Sequence, residues 1–320
     1  MLAIRDLSGI ICPLATPLTD ERKIDEAGLR RLVRYVIDGG VHAVFAMGST
    51  GEFAAFSREE RRLIIETVVE EVAGRLPVLV GVSDSGTELA ARNTRDAEAA
   101  GADAVVLTLP YYFPAYSDQA ALDHFRHVAG STSLPLIIYN IPQIVKGEVA
   151  VEAVAELAKE GTAAAIKDSS ADFEYFQSLI FRLSDMPHFR ILQGSEFHLA
   201  ASLLMGAHGG VLGIANLAPG LCVQLYEAAS GGSPQRIEQA RELQRRLTAL
   251  SRIFQVGESP LGSLKAAMSM LDICSPVTTM PIPVVSDESR RKIRKIVEAC
   301  GLISAKFEIR NPKWEIGGQQ

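Results

Sequence analysis

A (β/α)8 barrel with a C-terminal helical extension is the architecture this 320-residue sequence predicts, and three observations carry it. Short apolar runs alternate with amphipathic stretches from residue 9 to about 215. Eight such runs fall in about 205 residues, the count of a closed barrel of βα units. No Gly-x-Gly-x-x-Gly follows the first run, so the dinucleotide-binding form of the runner-up, an open doubly wound sheet, has no support.

The apolar runs place strands at 9–15, 43–47, 78–82, 104–109, 134–139, 163–167, 189–193 and 209–214. They are nearly continuous in Val, Ile, Leu and Ala, as strands of a parallel sheet buried on both faces are. Helices are predicted near 25–39, 57–74, 86–100, 117–130, 149–160, 172–184 and 195–205. Gly39-Gly40, Gly101-Ala102 and Gly206-Ala207 supply helix C-termini. Ser57 and Glu60 have the spacing of a capping box. Beyond residue 215 no strand is convincing, and 217–231, 234–255, 259–271 and 286–301 read as helices. The expected organisation is a barrel over 1–225, C-terminal helices over 226–305 and an irregular tail over 306–320, with no linker between them.

The composition is that of an ordinary globular protein, 48% hydrophobic and 22% charged. A net charge of −6 and a pI near 5.6 leave no basic stripe to neutralise phosphates, which argues against nucleic acid or an anionic membrane as partner. No apolar run approaches the ~18 residues of a membrane span. Residues 1–12 lack the basic start and cleavage site of a secretory leader. Cys12, Cys222, Cys274 and Cys300 are far apart without metal-ligand spacing, so buried thiols in a reducing cytoplasm are expected.

Barrel sites lie at the C-terminal ends of the strands, and the polar residues there form a pattern. Lys167 ends the apolar run 163–166 and is followed by Asp168-Ser169-Ser170. A strand-end lysine often snorkels to water. Held in poor solvent, the same amine is the nucleophile that Schiff-base chemistry requires. Strand two ends in Gly48-Ser49-Thr50-Gly51-Glu52, a small turn of hydroxyls and backbone N–H groups suited to a carboxylate. Strand four ends in Pro110-Tyr111-Tyr112-Phe113 and strand five in Tyr139-Asn140-Ile141-Pro142, offering phenols as proton carriers. Gln193-Gly194-Ser195-Glu196 and Gly213-Ile214-Ala215-Asn216 add glycine-lined space. Glu52 is read as ordering its own turn. The six histidines are read as surface or packing residues, with His208 at the wrong end of the barrel for catalysis. The run Arg241–Arg246 is read as a solvated helix face.

In order and spacing, the strand-end motifs at 48–52, 110–112, 139–142 and 166–170 resemble those of the dihydrodipicolinate synthase / N-acetylneuraminate lyase family, and the resemblance extends from about residue 8 to 302. It implies a homotetramer built as a dimer of dimers, with no metal or organic cofactor. It also implies a Schiff base between Lys167 and pyruvate or a 2-keto acid. Tyr139 would be the proton shuttle, and Ser49 and Thr50, behind Gly48, would hold the pyruvyl carboxylate. Tyr111 or Tyr112 matches a tyrosine pair of which one member, in many relatives, crosses a dimer interface. Val211 and Leu212 lie where the family shapes the pocket with a backbone carbonyl.

The pocket mouth is expected from Ile144 and its neighbours at 143–146, Gly194, Glu196 and 214–216. Members that make dihydrodipicolinate carry an arginine where Ile144 stands, and an apolar side chain supplies no carboxylate fork. Sialic-acid lyases carry a threonine in place of Asp168 and an acidic pair of which only Glu196 remains. The expected reaction is reversible aldol cleavage of a 2-keto-3-deoxy sugar acid to pyruvate and a small aldehyde. The alternatives are a Schiff-base dehydratase, the synthase itself, and a non-catalytic barrel that binds a keto acid.

Overall fold

Eight parallel strands close on themselves in chain order in the computed structural model, which describes residues 7–303. They are β1 (Gly9–Pro13), β2 (Ala43–Ala46), β3 (Val78–Gly81), β4 (Ala104–Leu107), β5 (Leu136–Asn140), β6 (Ala165–Asp168), β7 (Arg190–Gln193) and β8 (Gly209–Val211). Ile11 of β1 pairs with Ala43 on one side and Val211 on the other, which closes the ring. Apart from the half-buried Arg190, every strand residue is buried, and each Val, Leu or Ile so enclosed stabilises the fold by roughly 1.5–3 kcal/mol.

The helices outside the barrel are α1 (Glu26–Asp38), α2 (Arg58–Val72), α3 (Thr87–Ala99), α4 (Asp118–Ala129), α5 (Pro142–Val145), α6 (Val151–Glu160), α7 (Phe173–Arg182), α8 (Leu199–Leu204) and α9 (Pro219–Ser230). Their starts follow local chemistry. Asp25 accepts from the Gly28 N–H, Ser117 from Ala120 and Asp172 from Glu174, each satisfying a first-turn donor. Ser57 and Glu60 form the expected capping box. The C-terminal helices α10 (Pro234–Ser251), α11 (Pro260–Ser269) and α12 (Asp287–Ala299) follow, the first two opening on a serine cap with proline in the first turn. The exposed run on α10 is laced by Arg241–Glu238 and Arg245–Glu242 pairs, as a solvated face is. The tail expected over 306–320 lies outside the described residues.

Three sequence expectations change. The strands are shorter than the apolar runs: at β1–β4 and β8 the run continues into the following loop, and at β5–β7 it begins before the ladder. The stretch 195–205 holds a helix only over Leu199–Leu204. Residues 142–145, where no helix was expected, form the single-turn α5, started by Pro142 and ended by Lys146 in a left-handed conformation.

Three side chains replace backbone partners where the ring begins and ends. Asn216 is fully buried and bridges the ends of β1 and β8, contrary to its expected place at the mouth. Its Oδ1 accepts from Ala15 N at 2.9 Å, and its Nδ2 donates to Pro13 O at 2.7 Å and Gly213 O at 2.9 Å. At the opposite end, Nδ1 of His42 accepts from Ile10 N and Nδ1 of His208 from Ile191 N, both at 3.1 Å. His208 therefore sits at the non-catalytic end, as expected.

His124 on α4 is buried, with Nε2 3.1 Å from the Thr108 carbonyl and Nδ1 2.9 Å from the Thr87 hydroxyl. A carbonyl only accepts, so Nε2 carries the proton and Nδ1 takes the Thr87 hydroxyl hydrogen. Burial holds its pKa down at about 4 from 6.5, so the unfolded chain binds the extra proton first. Its contribution is complete above about pH 6.5 and is lost as pH falls towards about 4, by at most about 3 kcal/mol. Urea unfolding at about pH 7 and about pH 4.5 is expected to show a smaller loss in His124→Gln than in the parent. Equal losses would remove His124 from the acid response.

Candidate active site

Parallel pairing of β5 with β6 sets Tyr139 beside Lys167 and Asn140 beside Asp168. Paired residues share a face of the sheet, so the amine and the phenol ring project together. Lys167 and Tyr139 are each 5% exposed. Lys167 Nζ lies 3.9 Å from the centroid of the Tyr139 ring and 5.2 Å from that of Phe45, whose ring meets Tyr139 edge-on. The amine thus rests on two electron-rich faces that attract a cation formed there. Phe45 went unnoticed in the sequence, because one apolar residue inside an apolar strand carries no mark.

The next rung fixes this pair. The buried Asp168 carboxylate accepts from Asn140 Nδ2 at 2.8 Å, Ser170 N at 3.1 Å and Ser170 Oγ at 2.9 Å. Burial pushes its carboxyl up, and those bonds oppose the shift. Asn140 Oδ1 accepts from Val149 N, and Gln143 Nε2 donates to Ser169 O at 2.6 Å, tying α5 to the end of β6. Gly194 N donates to Asp168 O at 2.6 Å. A Cβ on Gly194 would stand 2.0 Å from Ser169 Oγ and 2.7 Å from that carbonyl, so only glycine lets the β7 loop approach so closely.

The turn after β2 forms the opposite wall. Ser49–Gly51 is one 3-10 turn, held by Thr16 Oγ1 donating to Gly51 O at 2.7 Å. Gly48 lies over the Phe45 ring, 2.8 Å from Phe45 Cε1 to where a Cβ would be. Across from it, a Cβ built on Gly213 would stand 3.7 Å from Thr50 Oγ1, 3.5 Å from Glu196 Oε1 and 3.6 Å from Phe254. Thr50 and Glu196 therefore face one space. Glu196 Oε1 accepts from Ile214 N at 3.2 Å. The residue is half-buried by surface, but its carboxyl is surrounded by protein. That burial pushes the carboxyl up, with backbone bonds and the charge of Lys167 opposing.

Of the remaining expected residues, Val211 and Leu212 are buried, with Leu212 N bonded to Ile11 O. Tyr111 is half-buried in a second cluster, edge-on to Phe53, over which Arg61 lies at 5.4 Å. Burial and then Asp84 push its phenol up. Tyr112 is 76% exposed against Phe113, and Ile144 is 54% exposed. Neither packs on Lys167 or Tyr139 within one chain. Glu52, read as ordering its own turn, sends its carboxylate to Thr279 and Lys265.

A model of the dihydrodipicolinate synthetase family matches residues 6–300. The chain belongs to that family. An uncharacterised DapA-like lyase of Halobacterium salinarum is 32% identical over 297 residues, covering 93% of this chain and 95% of its own. The 4-hydroxy-tetrahydrodipicolinate synthase of Methanopyrus kandleri is 33% identical over 299 residues, covering 93% and 97%. Among solved structures, the dihydrodipicolinate synthase of Bacteroides thetaiotaomicron superposes with a TM-score of 0.86 at 39% identity, covering 92% of this chain and 98% of that one. A prophage protein of the dihydrodipicolinic acid synthase family from E. coli K12, in complex with pyruvate, superposes with a TM-score of 0.88 at 27% identity, covering 93% and 99%. The protein is thus a lyase on the class I aldolase barrel of the dihydrodipicolinate synthetase family.

In this family member, replacing Asp168 by Ala strands the buried Asn140 amide and both Ser170 donors. The expected cost is about 2–4 kcal/mol, read from the urea midpoint. A change below about 0.5 kcal/mol would show that water replaces the carboxylate without loss.

Proposed function

We propose that the protein cleaves a 2-keto-3-deoxy sugar acid reversibly to pyruvate and a small aldehyde through a Schiff base on Lys167. The observation that carries the reading is the buried Lys167 amine on the face of Tyr139, with the Ser49–Thr50 turn among the loops at the same strand ends. The amine adds to the keto carbon and water leaves, giving a protonated imine. Tyr139 relays the proton taken from the C4 hydroxyl, the C3–C4 bond breaks, and its electrons pass into the imine to form an enamine. The aldehyde departs, C3 takes a proton, and water releases pyruvate from Lys167. Ser49 and Thr50 hold the carboxylate throughout, and the Tyr139 and Phe45 rings favour the iminium cation.

Two features support a polyhydroxy substrate over one with a second carboxylate. Ile144 offers no charge, and the Glu196 carboxyl, which shares a space with Thr50, accepts from substrate hydroxyls. A dehydratase is the second reading, favoured by the raised Glu196 carboxyl, whose protonated form donates to a departing hydroxyl. We also propose a cytoplasmic homotetramer, a dimer of dimers. The exposed Tyr112, Phe113 and Tyr116 would meet a second copy, and Tyr112 would complete that copy's pocket.

Borohydride with pyruvate is expected to add a stable mass to Lys167 and none to Lys167→Ala. Pyruvate should be released from one of a panel of 2-keto-3-deoxy sugar acids, and Tyr139→Phe should lower that rate by about 10²–10⁴. Loss of substrate with a new keto product and no pyruvate would favour the dehydratase. Ordinary condensation of pyruvate with aspartate semialdehyde would overturn both readings. A wild-type protein without added mass would leave only a binding barrel.

A further inference from the structure

A second buried lysine lies outside the pair already described. Lys265 on α11 is 1% exposed, and its Nζ stands 2.5 Å from Glu52 Oε1 while donating to Val277 O at 2.8 Å. Lys265 and Oε1 thus form a close, buried ion pair. The other oxygen, Oε2, accepts from Thr279 N at 2.6 Å and Thr279 Oγ1 at 2.7 Å. Glu52 is itself 5% exposed, so the pair is enclosed on both sides.

Glu52 is joined directly to Gly51 of the Ser49–Gly51 turn, and its own N–H bonds back to Ser49 O at 3.1 Å. It adopts φ of +60°, a left-handed conformation disfavoured for a residue with a Cβ. Bonds from its side chain to two separate points of the C-terminal region hold it there. The same region reaches other loops at this end of the barrel. Gln244 Nε2 donates to Glu196 O at 2.9 Å, Phe254 faces Gly213, and Arg22 Nε donates to Thr278 O at 3.3 Å.

We propose that Glu52, Lys265 and Thr279 are positioning residues through which the C-terminal helices set the Ser49–Gly51 turn at the spacing that holds the keto-acid carboxylate. This rests on the Schiff-base reading above. An ion pair removed from water adds little net stability, and its use here is geometric. Lys265, committed to Glu52 and Val277, is unavailable as a Schiff-base amine.

The test follows borohydride trapping of the full-length protein against pyruvate concentration, with peptide mapping and thermal unfolding alongside. Removing one ion alone strands the other, so the variants are Thr279→Val, Thr279→Ser and the double change Glu52→Gln with Lys265→Met. Thr279→Val and the double variant are expected to stay folded and to reach full trapping on Lys167, never on Lys265. Their half-saturating pyruvate should rise about tenfold, and Thr279→Ser should restore it. Folded variants with wild-type half-saturation would overturn the proposal, as would unfolding with unchanged half-saturation in the surviving fraction. Mass on Lys265 would overturn it too. A wild type that traps nothing would overturn it together with the Schiff-base reading, which separates the two failures.

Discussion

Lys167 meets the face of Tyr139 because β5 and β6 run parallel in a single register. A slip of one residue would turn every side chain of β6 to the opposite face and carry the amine out of the barrel. The rung that prevents it is made of side chains. Asn140 and Asp168 bond directly at the strand ends, and each also holds the backbone of the following loop. Strand pairing, loop placement and the position of the amine therefore share one polar contact, buried where a misaligned pair has no water to fall back on.

Two lysines lie in this interior under opposite conditions. Lys265 has a carboxylate in contact and a carbonyl to donate to, so its charge is matched and its amine is engaged. Lys167 has aromatic faces and, among the described residues, no carboxylate within ion-pair distance. Burial alone does not distinguish a reactive amine from a structural one. The partner does, and an aromatic face tolerates a cation without neutralising it.

The barrel was legible because strands buried on both faces read as uninterrupted apolar runs and serine, aspartate and proline mark the helix starts. Lys167, Tyr139, Ser49 and Thr50 were legible because polar residues at the ends of apolar runs stand out. Phe45 did not stand out, being apolar among apolar neighbours. Lys265 and Thr279 were hidden for another reason. They sit more than 200 residues from Glu52, and no local pattern announces a bond of that range. Asn216 was misplaced because a polar residue beside glycines at a strand end looks the same whether it faces a ligand or fastens two strands. Tyr112 and Ile144 lie in exposed segments whose surroundings are not made by neighbouring residues along the chain.

Fastening the ring at Asn216 also governs when the fold is complete during synthesis. The bonds from Asn216 to Pro13 and Ala15 span 203 and 201 residues, so the first strand waits for nearly the whole barrel before its second neighbour exists. At about 5–20 residues per second, that interval lasts on the order of 10–40 s. Throughout it, one edge of β1 carries unpaired backbone groups on an apolar ribbon, the form in which nascent chains pair with the wrong strand. Chaperone demand for this protein should therefore be set less by its final stability than by the delay between its first and last strands.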